Sequence, residues 1–307
     1  MDGFLNLHKP AGFTSHDCVA KVRRLLKLKR VGHAGTLDPA ATGVLPIALG
    51  RTTRLLQFLP QNKAYRATIR LGMSTTTDDL EGAILTRQPV PNLELETVQA
   101  ALQPFQGTIQ QVPPSYSAIQ VQGQRLYDLA RAGKELTVQP RSVTVHRITV
   151  LDWHSQDFPE LEVEIACGPG TYIRAIARDL GQALQVGGTL AALVRTESSG
   201  FQLADSLTLE VLENQILQGE FQPVAPDIAV QHLPAIALPV AIAQRWCQGQ
   251  QIVPPTLSIL VSNNAFLRVH REDGCFLGIG QLMNLDAKTL LIPQMVFSST
   301  TNSSLLS

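Results

Sequence analysis

Cysteine is scarce and scattered: Cys18, Cys167, Cys247 and Cys275 form no CxxC pair. That spacing favours reduced, buried thiols in a cytoplasmic protein over a disulfide or metal role. No apolar run approaches the roughly 20 residues needed to span a bilayer, so no membrane partner is expected. The N-terminal MDGFLNLHKP lacks the basic start and long apolar stretch of a secretory signal. There is no P-loop and no dinucleotide fingerprint. His33 has no second His or Cys cluster to complete a coordination sphere, so neither metal nor organic cofactor is expected. Net charge is also missing, at zero for 307 residues.

That neutrality is an average over two unlike parts. Residues 1–70 carry 12 Lys or Arg against three acids, a net of +9, and the remainder carries −9. A positive field concentrated on one region is what phosphate binding requires, so an RNA partner is not excluded. The densest cluster is KVRRLLKLKR, Lys21 to Arg30, with six bases in ten residues. Thr14 or Ser15 can cap a helix here, and Val19, Val22, Leu25 and Leu26 supply its apolar stripe. Lys21, Arg24 and Lys27 then lie on the outer face as candidate RNA backbone contacts, or as an ordinary solvated face.

A hydrophobic content of 44% with 16% charged residues describes a globular chain long enough for two domains. AYRATIRLG alternates, with Tyr65, Ala67, Ile69 and Leu71 on one face, and reads as a strand. LEVEIACG repeats the pattern with Leu161, Val163 and Ile165. It runs through Gly-Pro-Gly into TYIRAIARDLGQAL, a helical stripe for which Thr171 is the expected cap. Strands and helices mix without a βαβ rhythm, which predicts an α+β fold rather than a doubly wound sheet. Four prolines between Pro223 and Pro239 mark a domain edge. Beyond them FLRVHREDGCFLGIG reads as two strands about a turn, and LLIPQMVF as another. The expected division is 1–228 for the main domain, 229–297 for a small β domain and 298–307 for a disordered tail.

Within GHAGTLDPAATGVLPI, residues 32–47, one acid stands among small, apolar and turn-forming residues. Gly32, Gly35 and Gly43 permit unusual backbone angles, and Pro39 biases Asp38 toward extended geometry. Such a loop holds one carboxylate in place. It could be a structural turn, a nucleophile, a general base or a stabiliser of a cationic sugar.

Six segments in order resemble the bacterial tRNA pseudouridine-55 synthases, the TruB family. They are Lys9-Pro-Ala-Gly-Phe-Thr-Ser15, Gly32 to Ile47, Lys63-Ala-Tyr65, the long stretch from Gln111 through Gly133, Cys167-Gly-Pro-Gly-Thr-Tyr-Ile-Arg174, and Leu193-Val-Arg-Thr196. The resemblance implies a mixed, largely antiparallel sheet flanked by helices, followed by a PUA-like β module. It implies an isomerase that flips uridine-55 out of the tRNA T-loop and converts it to pseudouridine without added cofactor.

Residue by residue, the resemblance makes Asp38 the nucleophile, kept ionised by Arg174. The route (attack at ribose C1′, assistance to a glycal, or addition at C6) stays open. Tyr65 would stack the base, Tyr172 would pack near ribose and base, and Leu193 would line the pocket. His33 would fill the vacated space or contact flipped nucleotides. The implied partner is tRNA, through its T-loop and stem, with no guide RNA, and a monomer is the default state. Two departures from the family pattern, Gly187-Gly-Thr189 and Gln120, are expected to remove RNA-facing groups.

Overall fold

The computed structural model describes residues 1–114, 120–121, 124–125, 138–254, 262–285 and 288–297. Most of the Gln111–Gly133 signature and the 298–307 tail lie outside these residues, and nothing is described of the Gln120 side chain.

The central sheet is built from nine strands: β1 (Gly3–Lys9), β2 (Val31–His33), β3 (Thr42–Leu49), β4 (Lys63–Leu71), β5 (Gly107–Gln111), β6 (Arg141–His154), β7 (Glu160–Cys167), β8 (Gly188–Ser198) and β9 (Phe201–Gln202). Its order is β1-β3-β8-β4-β7-β6-β5, with β2 beside β3 and β9 beside β8. Only the β3–β8 pairing is parallel. The mixed, largely antiparallel sheet expected from the sequence is therefore present.

Alternation along β4 and β7 does what it predicts. Tyr65, Ala67, Ile69 and Leu71, with Leu161, Val163 and Ile165, are buried on one face. Helices α2 (Leu95–Leu102) and α3 (Ile173–Ala183) cover that face, Ile173, Ile176, Ala177 and Leu180 closing the core. Burial of each large apolar side chain contributes about 1.5–3 kcal/mol. Helices α1 (Ser15–Leu25) and α4 (Leu209–Gln218) pack on Leu5, Leu7, Leu45 and Ile47.

The C-terminal sheet has the order β10 (Ala235–Leu238), β11 (Phe266–Arg271), β12 (Phe276–Leu285), β13 (Lys288–Val296), with α5 (Val240–Cys247) closing its core around Trp246. Its Ile279 and Met295 join Phe4, Val44 and Val230 in a shared cluster, so this small β unit is seated on β1 and β3. No helix among the described residues is long and apolar enough to cross a membrane.

Three sequence expectations are corrected. All four cysteines are free, but only Cys18 and Cys167 are buried; Cys275 is exposed in the β11–β12 turn, where Asp273 accepts its backbone N–H. Burial pushes the Cys18 thiol up to about 11, which keeps it protonated. Helix α1 stops at Leu25, and Lys27 takes a left-handed φ of 52°, so the basic cluster straddles a helix end. Thr171 does not cap α3. Its hydroxyl donates to Gly168 O, and Tyr172 occupies the cap position.

Candidate active site

The loop carrying Asp38 connects β2 to β3 and is held by side chains on two sides. Thr14 caps α1 in a reciprocal box with Asp17. The next residue, Ser15, accepts from Leu37 N–H at 2.9 Å and donates to Leu37 O at 3.2 Å. Lys9 is fully buried and donates from Nζ to the carbonyls of Pro10, Phe13 and Pro39 at 2.9, 2.6 and 3.0 Å. Gly12 N–H adds a bond to Pro39 O. The Lys9–Ser15 motif is thus one wall of the loop.

Arg195, fully buried on β8, forms the other wall. Its Nε donates to Val44 O at 2.7 Å and its terminal nitrogens to Gly35 O and Thr36 O at 3.1 and 3.4 Å. Gly43, at φ 101°, is required here, because a Cβ would lie 2.3 Å from Arg195 O. Gly35 also has positive φ, but Gly32 is an ordinary residue of β2.

Arg174, on the first turn of α3, brings the distant motif to the loop. Its Nε lies 3.0 Å from Asp38 Oδ2, and its side chain is only 6% exposed. The same guanidinium meets Asp79 Oδ2 at 3.5 Å and donates to Thr77 O at 3.0 Å. Gln111 fixes the start of this helix: its amide accepts from Tyr172 N–H and donates to Tyr172 O. Sequence reasoning passed over Asp79 and Gln111. The signal for Asp79 was the Asp78-Asp79 pair directly after a strand-forming run, and Gln111 stood inside a quoted motif with no role assigned.

The Asp38 side chain remains 41% exposed beside the almost fully buried Arg174. Burial among its walls raises its carboxyl pKa above the ordinary aspartate value and outweighs the opposing pull of Arg174, with Asp79 adding to the rise and Lys9 opposing it. Arg174 favours the charged form by Coulomb attraction, as expected from the sequence, but burial acts against it. Arg174 limits a rise that the cleft imposes.

Tyr65 lies in the same core cluster as Leu37 and Ala41, 7% exposed, and its backbone pairs with that of Arg195 on the neighbouring strand. Leu193 pairs with Ala67 on the neighbouring strand and packs on the same cluster. Tyr172 is half-buried two residues before Arg174. His33 is half-buried and meets His16 edge-on at 5.4 Å. Burial lowers its pKa, so its ring is neutral at neutral pH.

The basic positions fare unequally. Arg24 and Lys27 are exposed, but Lys21 pairs with Glu213 of α4 at 3.5 Å and is partly spent within the fold. Thr189, in the segment expected to lack an RNA-facing group, points inward. It is fully buried, its hydroxyl 3.2 Å from that of Thr75, and its departure from the family pattern is absorbed in the interior. A concavity of about 860 Å³, lined by Arg70, Leu80, Arg87 and Phe158 among others, does not include Asp38. Among the described residues no cluster of three metal-ligating side chains occurs.

Comparison with known proteins places these residues in a lineage. Residues 23–173 match the TruB family pseudouridylate synthase N-terminal domain. Residues 174–239 match the tRNA pseudouridylate synthase B C-terminal domain, and 234–297 the pseudouridine synthase II TruB C-terminal domain. The chain belongs to the TruB family of pseudouridine synthases. It is 59% identical over 298 residues to the tRNA pseudouridine synthase B of Trichormus variabilis, covering 97% of this chain and 99% of that one. The Gloeothece citriformis tRNA pseudouridine synthase B is 55% identical, with 97% and 98% covered. Among solved structures, the fold resembles a chain of a Cbf5-Nop10-Gar1 complex, with a TM-score of 0.74 at 25% identity over 96% of this chain and 85% of that one.

Proposed function

We propose that this TruB-family chain is an isomerase that converts uridine to pseudouridine in the T-loop of tRNA, at position 55, with Asp38 as its nucleophile. The observation that carries the assignment is the Asp38–Arg174 contact at 3.0 Å, which joins two motifs 136 positions apart at the mouth of one cleft. In the overall change the N1–C1′ bond breaks, the uracil turns, and C5 bonds to C1′. C5 gives up its proton and N1 regains one, so substrate and product are isomers. An ionised Asp38 can act at C1′, through a glycal or at C6.

A stacked T-loop uridine cannot reach Asp38, so it must be extruded at a cost of a few kcal/mol. Tyr65, Tyr172 and Leu193 supply the apolar surfaces that would hold the detached base, and His33 would contact the strand left behind. Arg24 and Lys27 would engage backbone phosphates, with Lys21 contributing less. A reaction without guide RNA is supported by the 59% identity to a protein named tRNA pseudouridine synthase B. The Cbf5 complexes are far more distant, at 22–25%. We place the catalytic domain at 1–228, the PUA-like unit at 229–297, and the active species as a monomer in the cytoplasm.

The test is Asp38→Asn. Purified variant should bind tRNA as wild type does and form no pseudouridine; retained turnover would remove the nucleophile assignment. Because the cleft raises the Asp38 pKa, ionising it costs the folded state free energy that is absent below the unfolded pKa and present above the folded one. Asp38→Asn should therefore melt no lower than wild type at neutral pH. Pseudouridine mapping on total tRNA, with no guide added, reports the position: modification outside the T-loop would overturn the substrate.

A further inference from the structure

We infer that Arg195 is a positioning residue for the isomerisation, a single guanidinium that locks both ends of the Asp38 loop to the strand position beside Tyr65 and so sets the gap the uridine enters. The inference rests on the function proposed above and deepens it.

The strand order places Arg195 where it can do this. On β8 it is the Cα partner of Tyr65 on one side and of Gly43 on the other, between the strand with the aromatic ring and the strand that leaves the catalytic loop. The register of β8 against β4 shifts immediately after it, between Arg195 and Glu197, and such bulges re-aim neighbouring side chains. From there the guanidinium donates to Gly35 O and Thr36 O before Asp38 and to Val44 O after it, while its own backbone pairs with that of Tyr65. One rigid plane therefore ties both ends of the loop to the strand position beside the ring.

What is missing from its surroundings is equally informative. Among the described residues no carboxylate forms an ion pair with Arg195, although it is fully buried. A buried charge answered only by dipoles is a costly way to fill space, and an apolar side chain would fill it more cheaply. Donors fanned in a fixed plane explain the choice, and a lysine ammonium cannot reproduce them. The charges that act on Asp38 come from Arg174, Asp79 and Lys9. Arg195 thus has a role separable from theirs: it holds the loop in position through its carbonyls.

The test is Arg195→Lys in the full chain with T-loop tRNA, read by single-turnover rate, tRNA affinity and the acid limb of the pH–rate curve. Misplacement of reacting groups predicts a rate lower by about 100-fold, affinity within about 3-fold of wild type, and an acid limb at the wild-type pH. A rate close to wild type, an equal loss of affinity, or a displaced acid limb would overturn the inference. If the variant does not fold, hydrogen exchange on the wild-type protein decides. The Leu37 and Ala41 amides should exchange only with global unfolding, and fast exchange from the native state would refute a preset loop. Asp38→Asn assayed alongside separates the two claims, since turnover by that variant defeats the underlying function whatever Arg195→Lys does.

Discussion

Two buried arginines flank the Asp38 loop, and they differ in what answers their charge. Arg174 faces two carboxylates, Asp38 and Asp79, at the mouth of the cleft. Arg195 lies beneath the loop and faces carbonyls. The mouth of the cleft is built to control ionisation, and the floor is built to control geometry. Lys9 belongs to both: it is clamped by three carbonyls like Arg195, yet its charge also pulls the Asp38 pKa down. A carboxylate that must be both ionised and in register needs two such systems, because one cation that optimises charge is free to choose its own distance.

Breaking the charge side should have the largest effect. Arg174→Gln removes the counter-charge from a carboxylate whose surroundings already favour protonation. We expect the single-turnover rate to fall by about 10²–10³-fold while tRNA affinity, read by filter binding, changes little. An equal loss of both would instead make Arg174 an RNA contact. Disturbing the floor should appear first in stability. Gly43→Ala forces a Cβ against the Arg195 backbone at a positive φ, and urea denaturation should report a loss of about 1–3 kcal/mol. An unchanged midpoint would show that β3 can move away from β8 without cost. The smallest effect should come from outside the cleft. Reversing Arg24 and Lys27 together should weaken tRNA binding and flatten its salt dependence by up to about two phosphate contacts. Adding Lys21→Glu should change little, since Glu213 already engages that lysine.

The same contrast explains what was legible in the sequence. Strands β4 and β7 and helix α3 were readable because period-2 and period-3.6 burial leaves a direct trace in residue order. Asp38 was conspicuous because an acid in a glycine-proline loop stands out locally, and its partner Arg174 came into view through motif resemblance. Arg195 was quoted within a motif but left without a role, because what makes it informative is complete burial without a carboxylate, a property of packing alone. Asp79 was missed for a related reason: it reaches Arg174 through a tight turn in which Asp78 takes a φ of 61° and pairs with Arg178. Thr189, buried against Thr75, and Lys21, paired with Glu213, show that composition cannot say whether a polar side chain meets another part of the fold. Thr171 had the right chemistry for a cap, but its hydroxyl turns back to Gly168 O, and Gln111, 61 positions before Tyr172, fixes the backbone of the cap residue instead.

The most direct measurement is the ionisation of Asp38 itself, followed by carboxyl-carbon NMR on protein labelled at aspartate, with Asp38→Asn identifying the resonance. Asp38 should titrate above the ordinary aspartate value in wild type, higher still in Arg174→Gln, and at the wild-type position in Arg195→Lys. An Asp38 that titrates at or below the ordinary value, or that moves in Arg195→Lys and not in Arg174→Gln, would contradict the division of labour between the two arginines.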